Sequence, residues 1–235
     1  MTSASVPIES ENSRPTPTIE DYLGIIYTLE RDGQPVIASR LAEMLDVSAP
    51  TVTITLKRMQ RDGWIMSGEK KEIRLSSTGQ EAAKTVIRRH MLTEWMLSRV
   101  LNVPWSQIHE EAHHLEHSIS RDVELRLRDS MEDPSFCPHG NPLPGNEALA
   151  AAWFPLTECA VGQDVIVRRI HERAEDNQLL LAFLEKNSVL PGHKAKILDV
   201  LPFNETVRLN IGGEIITLGY SAARQVYVEI VPGST

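Results

Sequence analysis

The sequence predicts a mainly α-helical protein with a small β portion: an N-terminal winged helix-turn-helix, a helical middle unit and a C-terminal β-barrel. Three observations support this fold class. Two short helical patterns flank a tight turn before a hairpin, a long helical pattern covers residues 80 to 131, and short β-prone runs begin near residue 155. The length of 235 residues favours two or three units over one compact domain.

The predicted winged helix-turn-helix occupies residues 18–79. Apolar residues recur at helical spacing in "IEDYLGIIYTLER", with Thr18 as N-cap, and again in "IASRLAEMLDV". A third helix, "APTVTITLKRMQRDG", follows Ser48, and "WIMSGEKKEIRLS" predicts two strands joined by a hairpin. Residues 1–17 are polar and proline-rich without a signal-peptide pattern, so we expect a flexible arm on a cytoplasmic protein.

Residues 80–150 predict a helical unit. A capping box of Thr78 and Glu81 starts its first helix, and a second long helix spans "SQIHEEAHHLEHSISRDVELRLRDSM". The stretch "EDPSFCPHGNPLPGN" has the composition of a linker. Long paired helices with little else to pack on often dimerise, so we expect a homodimer.

Residues 155–235 predict the β-barrel. Short strand-like runs such as "VIVRRI", "KAKILDVLP" and "YVEIV" alternate with turn residues, and "NQLLLAFLEKN" is a helical insert. No apolar run approaches the roughly 20 residues of a membrane helix, so we expect no membrane partner. Cys137 and Cys159 are too few for a disulfide framework and are expected to remain thiols.

A local basic patch indicates DNA binding although the formal net charge is −8. Residues 57 to 74 hold six basic and three acidic side chains. The start of the second helix of a helix-turn-helix reaches base edges, while nearby basic groups contact phosphates. The alternative is a winged helix that serves only protein interaction. The candidate DNA-contacting residues are Ser48, Pro50, Thr51, Thr53, Ile54, Lys57, Arg58, Arg61, Lys70 and Lys71.

Histidine and glutamate residues concentrate in "HEEAHHLEH", residues 109 to 117. Four of them share one helical face, and His90 and Glu94 form a second pair one turn apart. Imidazole and carboxylate together suit Mn, Fe, Co, Ni or Zn. Because "HEEAH" also fits the HExxH pattern, with Glu110 as general base, a zinc-dependent hydrolase is an alternative. A metal-buffering or interaction protein without DNA binding is another. The residues on the shared face are His109, His113, Glu116 and His117.

Six motifs taken in order carry a resemblance to a known family: "EDYLGIIYTLERDG", "SAPTVTITLKRMQRDGW", "LSSTGQ", "RRHMLTEW", "HEEAHHLEH" and "GNPLPG". Over residues 18 to 147 they resemble the diphtheria-toxin-repressor family of metal-dependent transcriptional repressors. The resemblance implies a dimeric repressor that is not an enzyme, binds double-stranded operator DNA and controls metal-uptake genes. It also implies that the β-rich tail is an SH3-like (FeoA-like) domain.

The resemblance also implies two metal sites. The primary site falls on Asp21, His113, Glu116 and His117. The ancillary site falls on His90, Glu94, His109 and, from the C-terminal domain, Glu172 and Glu175. An ion held by Asp21 and the three later residues would connect the DNA-binding and dimerisation units. Alternatively, Asp21 serves only the N-terminus of its helix.

Departures from the family pattern bear on the metal and on the operator. Iron-responsive members carry methionine and cysteine at the positions of Asp21 and His113, and manganese-specific members carry acids at Gly24 and His113. The hard oxygen of Asp21 favours Mn²⁺, with Fe²⁺ as the alternative and Co²⁺ or Zn²⁺ able to substitute. Ile54 occupies the place of a glutamine on the recognition helix, which weakens any transfer of the family's operator sequence.

Overall fold

A computed structural model describes residues 14–68 and 72–231. The chain divides into two compact units, Met1–Ile87 and Arg88–Thr235. Most of the predicted N-terminal arm, together with Lys70 and Lys71 of the predicted wing, lies outside the described residues. Within the described residues, no helix has the length and apolar character needed to cross a membrane.

The first unit is a winged helix-turn-helix. It contains helices α1 (Pro17–Arg31), α2 (Ala38–Met44) and α3 (Ala49–Arg61), followed by the antiparallel strands β1 (Ile65–Ser67) and β2 (Ile73–Leu75). One apolar core joins them, and Leu23, Leu41 and Val52 within it are fully buried. Glu30 on α1 accepts a hydrogen bond of 2.9 Å from the Leu75 amide, which attaches the wing to the first helix.

Two predicted helix starts were wrong. Helix α1 begins at Pro17 with Thr16 as N-cap, because proline favours the first helical position, so Asp21 lies beyond the first turn. Helix α4 (Ser77–Arg99) begins in the first unit and ends in the second. Its start is capped by Ser76, whose Oγ accepts a 3.0 Å hydrogen bond from the Gly79 amide, rather than by Thr78.

The predicted second long helix is two helices, α5 (Ile108–Glu116) and α6 (Arg121–Ser130). Apolar periodicity continues across the break, but Ser120 caps α6 by accepting a hydrogen bond from Val123 N, which restarts the helix. The prediction of a linker at residues 132–146 was also largely wrong. Residues 139–143 within it are buried, and the segment folds back on itself through a bridge between Phe136 and Pro142.

The C-terminal part of the second unit is a six-stranded antiparallel sheet with short helices between its strands. The elements are β3 (Phe154–Pro155), β4 (Asp164–Ile170), α7 (Glu172–Glu175), α8 (Gln178–Lys186), β5 (Lys194–Leu201), β6 (Thr206–Ile211), β7 (Glu214–Gly219), α9 (Tyr220–Ala223) and β8 (Val226–Ile230). The strand order in the sheet is β3-β8-β4-β5-β6-β7. Its apolar core includes Val167, Ile197 and Val228, all fully buried.

Candidate metal centres

A cluster of possible metal ligands lies inside the second unit, where helix α4, helix α5, the segment after α6 and helix α7 contribute side chains. One group within it offers ligand atoms that all lie within 4.8 Å of one another, and a second group meets the same limit and shares Glu94. We call the two groups together the buried cluster. The first group is His90, Glu94, His109 and Glu175, and the second is Glu94, Cys137 and His139.

Helical spacing positions the α4 ligands, since His90 and Glu94 lie one turn apart on the same face. His90 Nε2 is 3.0 Å from His109 Nδ1. Each of these nitrogen atoms is 3.3 Å from Glu94 Oε1. Glu175 Oε2 is 2.8 Å from His109 Nδ1. Two imidazole nitrogens and two carboxylate oxygens therefore converge on one point, which is the donor set of a divalent transition metal.

The hydrogen-bonding of Glu94 fits a cation better than it fits an ordinary buried carboxylate. The side chain of Glu94 has no exposed surface. Its Oε2 atom is buried and makes no hydrogen bond to any residue that the structure describes, and His139 Nδ1 is buried with only a 3.3 Å contact to Glu94 Oε1. A buried polar atom without a partner costs about 1–3 kcal/mol, and a bound cation would remove that cost.

Cys137 and His139 were missed by the sequence-based prediction. His139 Nδ1 lies 3.3 Å from Glu94 Oε1, and His139 Nε2 donates to the Trp105 carbonyl at 3.2 Å. Cys137 is buried and is a free thiol, as expected from the sequence. The available signal was the Cys-Pro-His triplet before the "GNPLPG" motif, two soft or borderline ligands separated by one residue.

Only one of the two predicted ligands from the C-terminal domain belongs to the buried cluster. Asn141 donates hydrogen bonds from Nδ2 to Glu175 Oε1 and to the Ile170 carbonyl, and thereby orients Glu175. Glu172 is not part of the cluster, and its Oε2 pairs with Arg169 Nη2 at 2.6 Å. The short helix α7 thus directs its first and last carboxylates to different partners.

The charges and hydrogen bonds inside the buried cluster shift the pKa values of its members. Burial alone would lower the pKa of His90, but hydrogen bonds to Glu116 and Glu94 raise it from 6.5 to about 9. Burial alone would raise the pKa of Glu94, but the charge of His139 and a hydrogen bond from His109 hold it well below its usual range. Burial, with the charges of Glu94 and Glu175, raises the pKa of the Cys137 thiol. A metal ion must therefore displace protons here.

The second unit also contains a smaller group, His113, Glu116 and His117, which we call the α5 cluster. His113 Nδ1 is 3.2 Å from Glu116 Oε1, and His117 Nε2 is 3.6 Å from the same oxygen. The His113 side chain is 57% exposed, whereas Glu116 is buried. Burial would raise the pKa of Glu116, but hydrogen bonds from His113 and His90 lower it to about 2. Asp21 is half-buried on α1, in the first unit.

The HExxH pattern does not correspond to one site. His109 belongs to the buried cluster and His113 to the α5 cluster, although a zinc protease needs both on one ion. Glu110 is exposed and accepts a hydrogen bond from Gln178 Nε2.

The candidate DNA-contacting residues on α3 form one exposed surface. Val52 and Met59 face the core, whereas Ile54 is 70% exposed. Ser48 Oγ caps the helix by accepting from the Thr51 amide, and it also lies 2.8 Å from Thr51 Oγ1. Thr53 Oγ1 donates to the Ala49 carbonyl. The exposed or half-exposed residues are Ser48, Pro50, Thr51, Thr53, Ile54, Lys57, Arg58 and Arg61.

Three domain families match the chain. Residues 15–72 match "Iron dependent repressor, N-terminal DNA binding domain", residues 76–145 match "Iron dependent repressor, metal binding and dimerisation domain", and residues 154–230 match "FeoA domain". The predicted fold class, with its winged helix-turn-helix, helical dimerisation domain and SH3-like domain, is confirmed.

Relatives and solved structures agree with these matches. Iron-dependent repressor IdeR of Mycobacterium leprae (strain TN) is 35% identical over 225 residues, covering 91% of this chain and 97% of the relative. A structure described as a manganese-dependent transcriptional repressor in complex with manganese has a TM-score of 0.81 at 26% identity, covering 91% of this chain and 100% of the other. The crystal structure of ScaR with bound Zn²⁺ has a TM-score of 0.76 at 30% identity, covering 91% of this chain and 99% of the other.

These similarities give no support to the hydrolase alternative, and they confirm the predicted DNA partner and homodimer. The chain belongs to the iron-dependent repressor family, the metal-dependent DNA-binding transcriptional repressors that its sequence motifs resemble.

Proposed function

We propose that the protein represses metal-uptake genes when Mn²⁺ is abundant, by binding operator DNA as a metal-loaded homodimer. The observation that carries the proposal is the convergence of imidazole, carboxylate and thiol groups in the buried cluster, in a chain whose N-terminal domain belongs to a DNA-binding family. We place its action in the cytoplasm and assign it a regulatory role without catalysis. The proposed domains are 18–79, 80–150 and 155–235, after an arm of residues 1–17.

The buried cluster is the proposed ancillary site. His90, Glu94 and His109 hold the ion together with Glu175, and Cys137 and His139 extend the donor set on the other side of Glu94. Glu172, which the family resemblance suggested as a further ligand, instead has the role of neutralising Arg169. Because the raised pKa of His90 favours its protonated form in the metal-free protein, occupancy of this site rises with pH as well as with metal concentration.

The α5 cluster and Asp21 form the proposed primary site. Two imidazoles and two carboxylates suit Mn²⁺ or Fe²⁺ better than soft ions, since sulfur is missing from this set. Mn²⁺ is the proposed ion, Fe²⁺ is the alternative, and Co²⁺ or Zn²⁺ substitutes. The relatives support this range, since one is named iron-dependent and the solved structures contain manganese or zinc. The start of α1 at Pro17 places Asp21 beyond the first turn, which weakens the alternative that Asp21 only serves the helix N-terminus.

Shared ligation would let metal control DNA binding. When Asp21 and the α5 cluster hold the same ion, the DNA-binding and dimerisation domains are joined. Joining them fixes the separation of the two recognition helices, which must match half-sites about one helical turn apart or a multiple of it. The coupling is reciprocal, so operator DNA must tighten metal binding by the same factor.

The DNA contacts proposed for α3 divide into two types. Lys57, Arg58 and Arg61 contact phosphates, and Ile54 with the threonine methyls contacts thymine methyl groups. Ser48 serves mainly to start the recognition helix as its N-cap, and the hydroxyl of Thr51 is engaged by Ser48 Oγ. Lys70 and Lys71 are proposed as backbone contacts of the wing.

A selection experiment tests the function and does not require a defined operator. Duplexes of random sequence are incubated with the purified dimer in the presence of Mn²⁺, Fe²⁺, Co²⁺ or Zn²⁺, or with chelator. We expect one enriched sequence with paired half-sites in the presence of Mn²⁺ and none with chelator. Equal enrichment with and without metal would contradict metal control. The variant Asp21→Ala should retain metal in the buried cluster and lose the metal-dependent enrichment. Glu43→Ala, which removes an exposed carboxylate of the same unit, is the control.

A further inference from the structure

The FeoA domain contacts the turn that precedes the metal-ligand helix through one carboxylate, Glu185 on α8. Its Oε1 accepts a hydrogen bond of 3.0 Å from the Trp105 amide. Its Oε2 accepts from the Ser106 amide at 3.4 Å and from Ser106 Oγ at 2.6 Å. Three donors on two adjacent residues therefore meet a single side chain, which holds the turn just before α5 begins at Ile108.

Trp105 in turn holds His139 of the buried cluster on two sides. The Trp105 carbonyl accepts a hydrogen bond from His139 Nε2 at 3.2 Å, and the two rings lie 4.5 Å apart. Trp105 Nε1 also donates to the Pro138 carbonyl at 3.0 Å. Because a carbonyl can only accept, Nε2 must carry a proton, and this leaves Nδ1 as the nitrogen that faces Glu94.

The Trp105 ring is itself placed by both halves of the second unit. It packs against the core of the FeoA sheet and also against the small core of Leu97, Ile108 and Ala112 between α4 and α5. Without the Glu185 contact the ring would retain these apolar neighbours. The Trp105 amide, however, would lose its hydrogen bond to Glu185. The turn would then no longer be fixed, and neither would the direction of the Trp105 carbonyl.

We propose that Glu185 is a positioning residue for the buried cluster and sets its metal affinity through Trp105 and His139. The inference rests on the proposed metal-binding function. By this chain of contacts the FeoA domain acts twice on the cluster, once with Glu175 directly and once with Glu185 at a distance. Residues that orient a metal-ligating histidine commonly contribute about 10–100-fold to metal affinity.

The test compares full-length Glu185→Ala, Glu185→Gln and Lys186→Ala with the unchanged protein. Lys186 is the neighbour of Glu185 on the same helix and serves as the control. Affinities for Mn²⁺ and Co²⁺ are measured by competition with a chelator, the cobalt-thiolate absorption reports coordination by Cys137, and urea unfolding of the metal-free proteins reports stability. We expect Glu185→Ala to weaken Co²⁺ binding about tenfold or more and to alter the cobalt-thiolate absorption. The Co²⁺ affinity of Glu185→Gln, which keeps one acceptor oxygen, should lie between those of Glu185→Ala and the unchanged protein. The affinity of Lys186→Ala should match that of the unchanged protein.

Two results would overturn the inference in different ways. If Glu185→Ala unfolds at lower urea but binds Co²⁺ with unchanged affinity and absorption, Glu185 contributes only to stability. If the unchanged protein binds neither Mn²⁺ nor Co²⁺, the proposed function fails, and the inference fails with it. Should Glu185→Ala not fold, Glu185→Gln and Ser106→Ala decide the question, because each removes part of the same contact.

Discussion

His90 Nδ1 lies 2.7 Å from Glu116 Oε2, while Nε2 of the same ring lies 3.0 Å from His109 Nδ1. One imidazole therefore contacts both the α5 cluster and the buried cluster. A change in the protonation or ligation of His90 acts on both clusters at once.

The stability of the metal-free protein should depend on pH through this pair. The pKa of His90 is raised from 6.5 to about 9, so its contribution is complete below pH 6.5 and is lost as pH rises through 9. The pKa of Glu116 is lowered from 4.5 to about 2, so its contribution is present above pH 4.5 and is lost as pH falls through 2. Urea unfolding with chelator present, from pH 5 to 9, should show declining stability above about pH 6.5. A smaller decline in His90→Gln would identify His90 as the cause, and an equal decline would contradict it.

Glu94→Gln should strongly weaken metal binding in the buried cluster. Glu94 belongs to both groups of ligands, and an amide offers one weaker acceptor where the carboxylate offers two charged oxygens. We expect Co²⁺ affinity to fall by about 100-fold or more. Residues that only contact a metal ligand already contribute about 10–100-fold, and Glu94 is itself a proposed ligand. Chelator competition measures the change. The control is Glu111→Gln, an exposed carboxylate on α5. Retention of the cobalt-thiolate absorption in Glu94→Gln would refute this assignment.

Gly140→Ala should strongly destabilise the second unit. A Cβ at this position would lie 1.9 Å from the Arg168 carbonyl oxygen on β4, and the φ of +86° is already unfavourable for alanine. We expect a loss of about 3 kcal/mol or more in the free energy of unfolding, from the combination of strain and overpacking. Gly145→Ala, at φ +100° with open space around the Cβ, isolates the backbone strain and should cost less. Equal losses in the two variants would show that the close approach to Arg168 is unimportant.

Lys57→Ala and Ile54→Ala should affect DNA binding in different ways. Lys57 is assigned to a phosphate, so its loss should weaken binding to all duplexes and reduce the slope of log affinity against log salt by about 1. Ile54→Ala should leave that slope unchanged. It should instead reduce the ratio of the affinity for the selected duplex to the affinity for a scrambled duplex. Fluorescence anisotropy at several salt concentrations distinguishes these effects. Lys84→Ala, which removes a charge that pairs with Glu81 on α4, controls for net charge. An unchanged salt slope in Lys57→Ala would contradict the phosphate contact.

Helical spacing was sufficient to predict some of the candidate ligands. His90 and Glu94 lie on one continuous helix, and His109 and His113 lie on another, so their relative directions follow from about 100° per residue. The break between α5 and α6 was not predictable in the same way, because apolar residues keep their period across it. The local signal for the start of α6 is its N-cap, Ser120, whose side chain accepts a hydrogen bond from Val123 N.

Ligands brought together by tertiary structure were harder to predict. Cys137 and His139 lie in a segment without regular periodicity, so nothing local indicates which way they face. Glu172 and Glu175 are the two ends of a single helical turn, and either could face the cluster from sequence alone. Arg169, at the end of strand β4, pairs with Glu172, and Asn141 orients Glu175 from a distant part of the chain.

The complete burial of the Glu94 side chain, compared with the 57% exposure of His113, has a consequence for timing. The other ligands around Glu94 are also mostly covered, since the His90 and His109 side chains are 14% and 20% exposed. An ion held there would therefore leave more slowly than an ion held beside His113. We expect a slowly exchanging ion and a rapidly exchanging ion in the same dimer. The slow ion would retain a record of past metal supply, and the rapid one would follow the present concentration.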